Sequence, residues 1–417
     1  MLNVLTPTEV IDVINKHFTK TTFQYEKIFT VNSVGRILHT DIISNEDVPG
    51  FDRSTVDGYA VRASDTFGSS ESIPAVMTVT HEILMGKIIT TSLNKETDEN
   101  PANITIDENN NPCVAISTGG AVPEGFDAVV MVEHTESYSD NMIGISKPVA
   151  PGNNIIFKGD DVSKGDLVLK AGAELTVHDV GVLAALGFEY INVRKKPRIG
   201  IISTGDELVN ITDTPSDGEV RDVNGCMLAA AAKKYGGIEV SYGIVRDDEE
   251  SLINVLKNCI KNLDCDIILI SGGSSAGDKD KTAKVIESLG ELLFHGIAIK
   301  PGKPTILGIV NEKPVFGLPG HPVAAYMVFE LFVREVISCY LGTTIKRKTT
   351  IAKLNEAISA NHGREEIVPV KLVNGVAIPI KGKSGLISKL IDINGYIIIP
   401  RNCEGLSKGT EVELVYV

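Results

Sequence analysis

Two lysines bracket the most chemically suggestive stretch of this 417-residue chain, Lys300-Pro301-Gly302-Lys303-Pro304. Proline stiffens that backbone, glycine lets a ligand approach it, and the ammonium groups supply positive charge. A second turn, Gly317-Leu318-Pro319-Gly320-His321-Pro322, follows, and Pro322 is placed to open a helix. The first N–H groups of such a helix lack intrahelical acceptors, so both turns suit an anion.

Two further loops suit phosphate. The apolar run Ile199–Ser203 leads into Thr204-Gly205-Asp206-Glu207-Leu208, and Ile267–Ser271 leads into Gly272-Gly273-Ser274-Ser275-Ala276-Gly277-Asp278-Lys279-Asp280. Their glycines and hydroxyls can cradle a phosphate through backbone N–H groups, while Glu207 and Asp280 are the type that holds a hard cation such as Mg²⁺. Neither loop is a Walker A sequence or a dinucleotide fingerprint. In Arg246-Asp247-Asp248 the second aspartate reads as a helix N-cap, which leaves Asp247 to face the same loops. Phe51–Arg62, with Asp57 near its centre, packs charge, hydroxyl and glycine without periodicity. His295 and His321 are isolated and read as structural hydrogen-bonders, and no Gly-x-Ser-x-Gly points to a nucleophilic serine.

The elements that must position these groups change character along the chain. Thr6-Pro7-Thr8-Glu9 predicts a capping box, with Val10, Ile11, Ile14 and Phe18 on one helical face. From about residue 26 to 170 short β-type runs dominate (Ala75–Thr80, Ala128–Val132, Leu167–Leu169), with an exposed loop or hairpin extension expected over Asn94–Pro112. A helix is expected over Thr176–Gly187, with Val180, Leu183 and Ala184 inward.

From Arg198 strand and helix alternate. Strands are expected at Ile199–Ser203, Ile238–Val245, Ile267–Ser271, Ile306–Val310 and Val315–Leu318. Helices are expected from Asn224, as cap, through Tyr235, and over Asp248–Leu263, Lys281–Leu289 and Pro322 to about Tyr340. That alternation predicts a doubly wound α/β domain whose ligand lies at the carboxyl ends of the strands. After residue 341 the pattern is all-β, with Asn374-Gly375 as a hairpin turn between Val368–Val373 and Val376–Ile380 and further strands at Tyr396–Ile399 and Glu411–Val417. A small barrel or sandwich follows.

The formal net charge of -14 argues against a general nucleic-acid binder. Residues 341–417 nevertheless hold 11 Lys+Arg against 7 Asp+Glu, a local balance of +4 that leaves -18 on the rest. Six scattered cysteines with no C-x-x-C pair suggest neither a zinc site nor a disulfide framework. No apolar run reaches a membrane span and the N-terminus lacks a signal-peptide pattern, so a cytoplasmic protein is expected.

Seven runs, in this order, resemble the molybdopterin molybdenumtransferase family, the MoeA proteins and the gephyrin E-domain. They are Phe51–Arg62, Ser117–Glu133, Gly159–Gly165, Ser203–Leu208, Ser271–Thr282, Ile299–Pro304 and Gly317–Val323, and they span nearly the whole chain. The resemblance implies a four-part architecture. Residues 1–45 and 166–195 would form a split helical segment, 46–165 a β-rich insertion, 196–340 a MogA-like molybdopterin-binding α/β domain, and 341–417 a C-terminal β-barrel.

It also implies the last step of molybdenum cofactor assembly, in which adenylylated molybdopterin releases AMP and takes molybdenum from molybdate between its dithiolene sulfurs. Molybdate is a tetrahedral dianion, and Lys300, Lys303, Arg364 and Ser384 match the residues expected to hold it. Glu207, Asp247 and Asp280 match the Mg²⁺-binding carboxylates. Asp57, Thr118, Glu207 and Asp280 would be catalytic, and Asp161, Asp247, Gly272, Gly273, Ser274, Pro319 and Pro322 would bind the pterin nucleotide. A homodimer with shared sites is implied, with the molybdopterin adenylyltransferase as a further partner and no nucleic acid or membrane.

The chain departs from the family pattern at Arg53-Ser54-Thr55-Val56, at His321, and at Gly296, where many members carry an additional lysine. Gly296 leaves open a greater reliance on His295 or Arg364, or a preference for tungstate. A pterin-binding scaffold without turnover and a stand-alone adenylyltransferase are the rival readings; retention of Asp57, Glu207, Asp280, Lys300 and Lys303 together favours catalysis.

Overall fold

The computed structural model describes residues 4–83, 90–92, 111–272, 281–344, 346–380 and 387–417. The chain forms two compact units, one of Met1–His39, Gly172–Val177 and Tyr190–Val417, the other of Thr40–Ala171 and His178–Glu189.

The larger unit is built on six strands: β1 (Arg198–Thr204), β2 (Ile238–Val245), β3 (Ile267–Ser271), β4 (Glu291–His295), β6 (Ile306–Val310) and β7 (Lys313–Leu318). The short β5 (Ile299–Lys300) lies outside that sheet. Spatial order is β2-β1-β3-β7-β6-β4; the first four strands run parallel, and β6 is antiparallel to both β7 and β4.

Helices α1 (Val223–Lys234), α2 (Glu249–Lys261) and α3 (Lys281–Leu289) cover both faces. On one face Ile199, Ile201, Ile267 and Leu269 pack with Leu228 and Ala232 of α1. On the other, Ile202, Ile268 and Ile270 pack with Leu252 and Leu256 of α2 and Val285 and Ile286 of α3. The faces alternate because strand side chains do, so a β3 strand whose first four residues are all apolar must be sandwiched. Each fully buried aliphatic side chain here is worth about 1.5–3 kcal/mol. The doubly wound α/β expectation is met.

Local boundaries differ instructively. α1 is capped by Asp222, whose carboxylate accepts from the Gly225 N–H, and Asn224, read as the cap, is buried inside the first turn. The long helix from Pro322 is three segments, α4 (Pro322–Val328), a π-helical turn at Phe329–Val333, and α5 (Arg334–Leu341). The expected helix at Thr176–Gly187 is Val177–Ala185; Leu183 is buried, whereas Ala184 is exposed.

The C-terminal strands close on themselves. β8 (Thr349–Leu354), β9 (Glu365–Val373), β10 (Val376–Pro379), β11 (Gly395–Ile399) and β12 (Glu411–Tyr416) pair in the order β9-β10-β8-β12-β11, and β11 returns to β9. Of the barrel and sandwich readings, the barrel holds. Val373 faces Val376 across Asn374-Gly375, as the hairpin dipeptide predicts. β5 leaves the α/β region to pair in parallel with β9, setting Lys300 opposite Glu366.

At the N-terminus the Pro7–Phe18 helix carries the predicted Thr6/Glu9 capping box and buries Val10, Ile14 and Phe18. The smaller unit centres on a mostly antiparallel sheet that includes Gly58–Val61, Ala75–Ile83, Pro112–Ile116 and Ala128–Met131. Nearly all of the expected Asn94–Pro112 loop lies outside the described residues.

Candidate functional site

The parallel strands of the α/β sheet end together, and two of them, β1 and β3, end in polar residues. Ser203 and Thr204 close β1 and Ser271 closes β3, each at most 2% exposed. The Thr204 hydroxyl donates to Asp247 Oδ1 over 3.4 Å, tying the end of β1 to the loop after β2. Lys281, at the start of α3, places its Nζ on the Asp247 main-chain carbonyl and 3.3 Å from Asp247 Oδ2. Asp247 is therefore held by a hydroxyl and a cation at once.

Its neighbour Asp248 caps α2 as expected, accepting from the Ser251 N–H and hydroxyl at 2.8 Å. Those bonds, the backbone one foremost, hold its carboxyl below the usual value. Glu207 is exposed, with both carboxylate oxygens 2.8 Å from where a Cβ on Gly205 would stand.

Gly272 marks where backbones crowd. Its φ is +106°, and an added Cβ would meet the Thr204 carbonyl oxygen at 1.9 Å, so no side chain fits. Its N–H donates to the Leu318 carbonyl over 3.4 Å, joining the end of β3 to that of β7. Pro319 is buried just beyond, and Pro322 begins α4. Asn224 completes this edge, donating from Nδ2 to Ser271 Oγ at 2.7 Å and to the Gly320 carbonyl at 2.8 Å.

The sequence-predicted residues thus fall into separate groups. Glu207, Asp247, Gly272, Pro319 and Pro322 sit at or beyond the carboxyl edge. Lys300 and Arg364 are brought to neighbouring strands, because Glu365, next to Arg364, donates its N–H to the Ala298 carbonyl at 2.9 Å. Lys300 is no free cation: its Nζ lies 2.8 Å from Glu366 Oε1, and the other Glu366 oxygen is buried without a partner. Burial raises the adjacent Glu365 carboxyl above its ordinary value, against the pull of Arg401. Lys303 is exposed.

Gly296 has φ +110°, and a Cβ there would come within 3.1 Å of Val4 Cγ2. A lysine would be strained on this backbone.

In the smaller unit Asp57 and Thr118 do meet. Asp57 Oδ1 accepts from the Thr118 N–H at 2.7 Å and from its hydroxyl at 3.2 Å. Asp161 is exposed and donates its N–H to the Val48 carbonyl. Gly273, Ser274, Asp280 and Ser384 lie outside the described residues.

Three contributors went unread in the sequence: Lys281, Glu366 and the clamp formed by Asn224. For Lys281 the only signal was its place beside Asp280; for Asn224 it was its place two residues after Asp222.

Among the described residues no group of three or more His, Cys, Asp or Glu could hold a metal ion. Mg²⁺ commonly takes one or two carboxylates plus substrate phosphates, so Glu207 and Asp247 fit a cation ligated largely by its substrate. No helix of the described residues is long and apolar enough to cross a membrane.

Three family models account for most of the chain. The MoeA N-terminal region (domain I and II) matches residues 5–187, a probable molybdopterin binding domain matches 200–338, and the MoeA C-terminal region (domain IV) matches 351–417. The chain belongs to the MoeA family of transferases in molybdenum cofactor biosynthesis. The carboxyl edge described above lies within the molybdopterin-binding match, and the barrel is the MoeA C-terminal region.

The crystal structure of the molybdopterin biosynthesis MoeA protein from Pyrococcus horikoshii superimposes with a TM-score of 0.86 at 36% identity, covering 99% of each chain. The molybdopterin molybdenumtransferase of Bacillus subtilis is 31% identical over 100% of this chain and 96% of its own length. That of Staphylococcus aureus is 32% identical over 92% of this chain and 89% of its own.

Proposed function

We propose that this chain is a molybdopterin molybdenumtransferase, acting on adenylylated molybdopterin and molybdate with release of AMP. The observation that carries the reading is the carboxyl edge of the sheet. There Asp247, ordered by Thr204 and Lys281, stands at the edge where Gly272 lets the backbones of β1 and β3 come into close contact. An edge of this kind, with helix N-termini at hand, receives phosphate and positions a phosphoanhydride by its backbone donors.

Glu207 and Asp247 would hold Mg²⁺, which when bound neutralises charge on that phosphoanhydride. Lys281 orients Asp247 and offsets its charge before substrate arrives. Lys300, Lys303 and Arg364 supply cations for the oxyanion, and Glu366 holds the Lys300 ammonium in place. Support for a homodimer and a cytoplasmic setting comes from the family resemblance.

Incubating the protein with adenylylated molybdopterin, Mg²⁺ and either molybdate or tungstate tests the reading. Molybdate-dependent AMP release is expected. Release only with tungstate would make it a tungsten-directed homologue, and binding without release would make it a scaffold. For the dimer, mixing Asp57→Ala and Asp247→Ala chains should restore part of the activity through hybrids. No recovery after verified subunit exchange would show that each copy works alone.

A further inference from the structure

We infer that Asn224 is a positioning residue for the pterin-nucleotide site, an amide clamp holding the end of β3 and the turn after β7 at a fixed separation. The inference rests on the functional reading above and adds to it a residue with no assigned role.

Asn224 is 8% exposed, in the first turn of α1, and its Nδ2 donates to both Ser271 Oγ and the Gly320 carbonyl. A carbonyl only accepts hydrogen bonds, so the amide orientation is settled and the NH₂ group must face Gly320. Oδ1 is then left buried with no donor. Buried polar atoms are nearly always satisfied, so a side chain chosen for stability alone would not be an amide here. The position keeps two N–H donors and tolerates the orphaned oxygen.

What those donors join is the site itself. Ser271 precedes Gly272, and Gly320 follows Pro319, both in the proposed pterin-nucleotide set. A Cβ on Gly320 would stand 4.0 Å from Gly272 Cα, so the end of β3 and the turn after β7 touch. Asn224 bridges them from a helix that Asp222 caps independently. Loosening the clamp therefore widens the edge without unravelling α1.

Asn224→Asp is the decisive variant, because it keeps the shape and replaces the donor facing Gly320 with an acceptor. We expect a protein that still folds, with a lowered unfolding midpoint because a buried acceptor now faces the Gly320 carbonyl. We also expect molybdopterin binding about tenfold or more weaker, since a buried donor has been turned against a carbonyl. KM for the nucleotide substrate should rise more than kcat falls, and Ser271→Ala, which removes one of the two partners, should give a smaller effect in the same direction.

Amide hydrogen exchange at Gly272 and Gly320 should quicken in Asn224→Asp whatever ligand the site takes. Unchanged exchange would overturn the clamp. Wild-type binding matched by the variant would overturn its role in the site. A wild type that binds no molybdopterin would instead sink the functional reading, leaving the exchange result to judge the clamp.

Discussion

Two polar clusters in the larger unit handle burial in opposite ways. At the carboxyl edge, Asn224 and Thr282 each leave a buried oxygen without a partner, and Asp247 is the one carboxylate joined to a cation there among the described residues. Where α4 and α5 meet the barrel, charge answers charge. Glu330 is 1% exposed, and its carboxylate takes the Tyr235 hydroxyl and lies 3.5 Å from Arg334, whose guanidinium also stacks 4.4 Å from the Tyr235 ring. Arg347 bonds the Tyr396 hydroxyl and Glu335, each at 2.8 Å, and reaches the Glu330 and Leu331 carbonyls.

Burial pushes the Tyr235 and Tyr396 hydroxyls above their ordinary values; Tyr235 donates to Glu330, and Tyr396 accepts from Arg347. The loose end of that junction is Arg334 Nε. A cluster that neutralises itself holds elements together; one that leaves groups open is built to receive something.

The sharpest way to break this contrast is Glu330→Ala. Removing one partner of a buried pair leaves Arg334 uncompensated and should cost about 3–5 kcal/mol of stability in denaturant titration. A near-normal midpoint would show that the junction is not what it seems energetically. Asp247→Ala should do the reverse, unfolding almost normally while AMP release drops about a hundredfold, on the scale of one lost electrostatic contact. Comparable losses of stability in both variants would erase the distinction.

Lys303→Ala tests the oxyanion side. Molybdate affinity should fall by about 2–3 kcal/mol, with pterin affinity changed much less, as for one lost charged hydrogen bond. Equal losses for both ligands would move the oxyanion pocket elsewhere. The smallest effect belongs to Thr6→Ala, which removes a cap far in sequence from either cluster. It should cost about 1 kcal/mol and leave ligand binding alone.

The same cap predicts a direction with pH. Its bonds from Thr6, the backbone one first, hold the Glu9 carboxyl below its ordinary value of 4.5. A group lowered on folding contributes stability above its unfolded value, and that contribution disappears as pH falls through the folded one. Thr6→Ala should accordingly shrink in effect in acid. An effect that grows on acidification would contradict the capping box.

Much of this protein was legible in the chain itself. Apolar runs of β length between helical periods gave the strands of the doubly wound sheet, because periodicity reports burial directly. The Thr6/Glu9 box, the Asp248 cap and the Asn374-Gly375 hairpin rest on contacts within a few residues, so local chemistry settled them. The strand β4 was missed although Gly290 and Gly296 flank it, because five residues carry too little pattern on their own.

What only the tertiary structure decided was which side chains spend their charge on one another. Lys300 finds Glu366 because β5 pairs with β9, 66 residues away in sequence, and Asn224 reaches Ser271 and Gly320 across 47 and 96 residues. Asn224 looked like a cap because asparagine favours caps, yet Asp222 held that place and freed it for the loops. Residue type fixes which hydrogen bonds a side chain can make; the partner it meets depends on strand pairing and helix packing, which bring together groups that no local pattern relates.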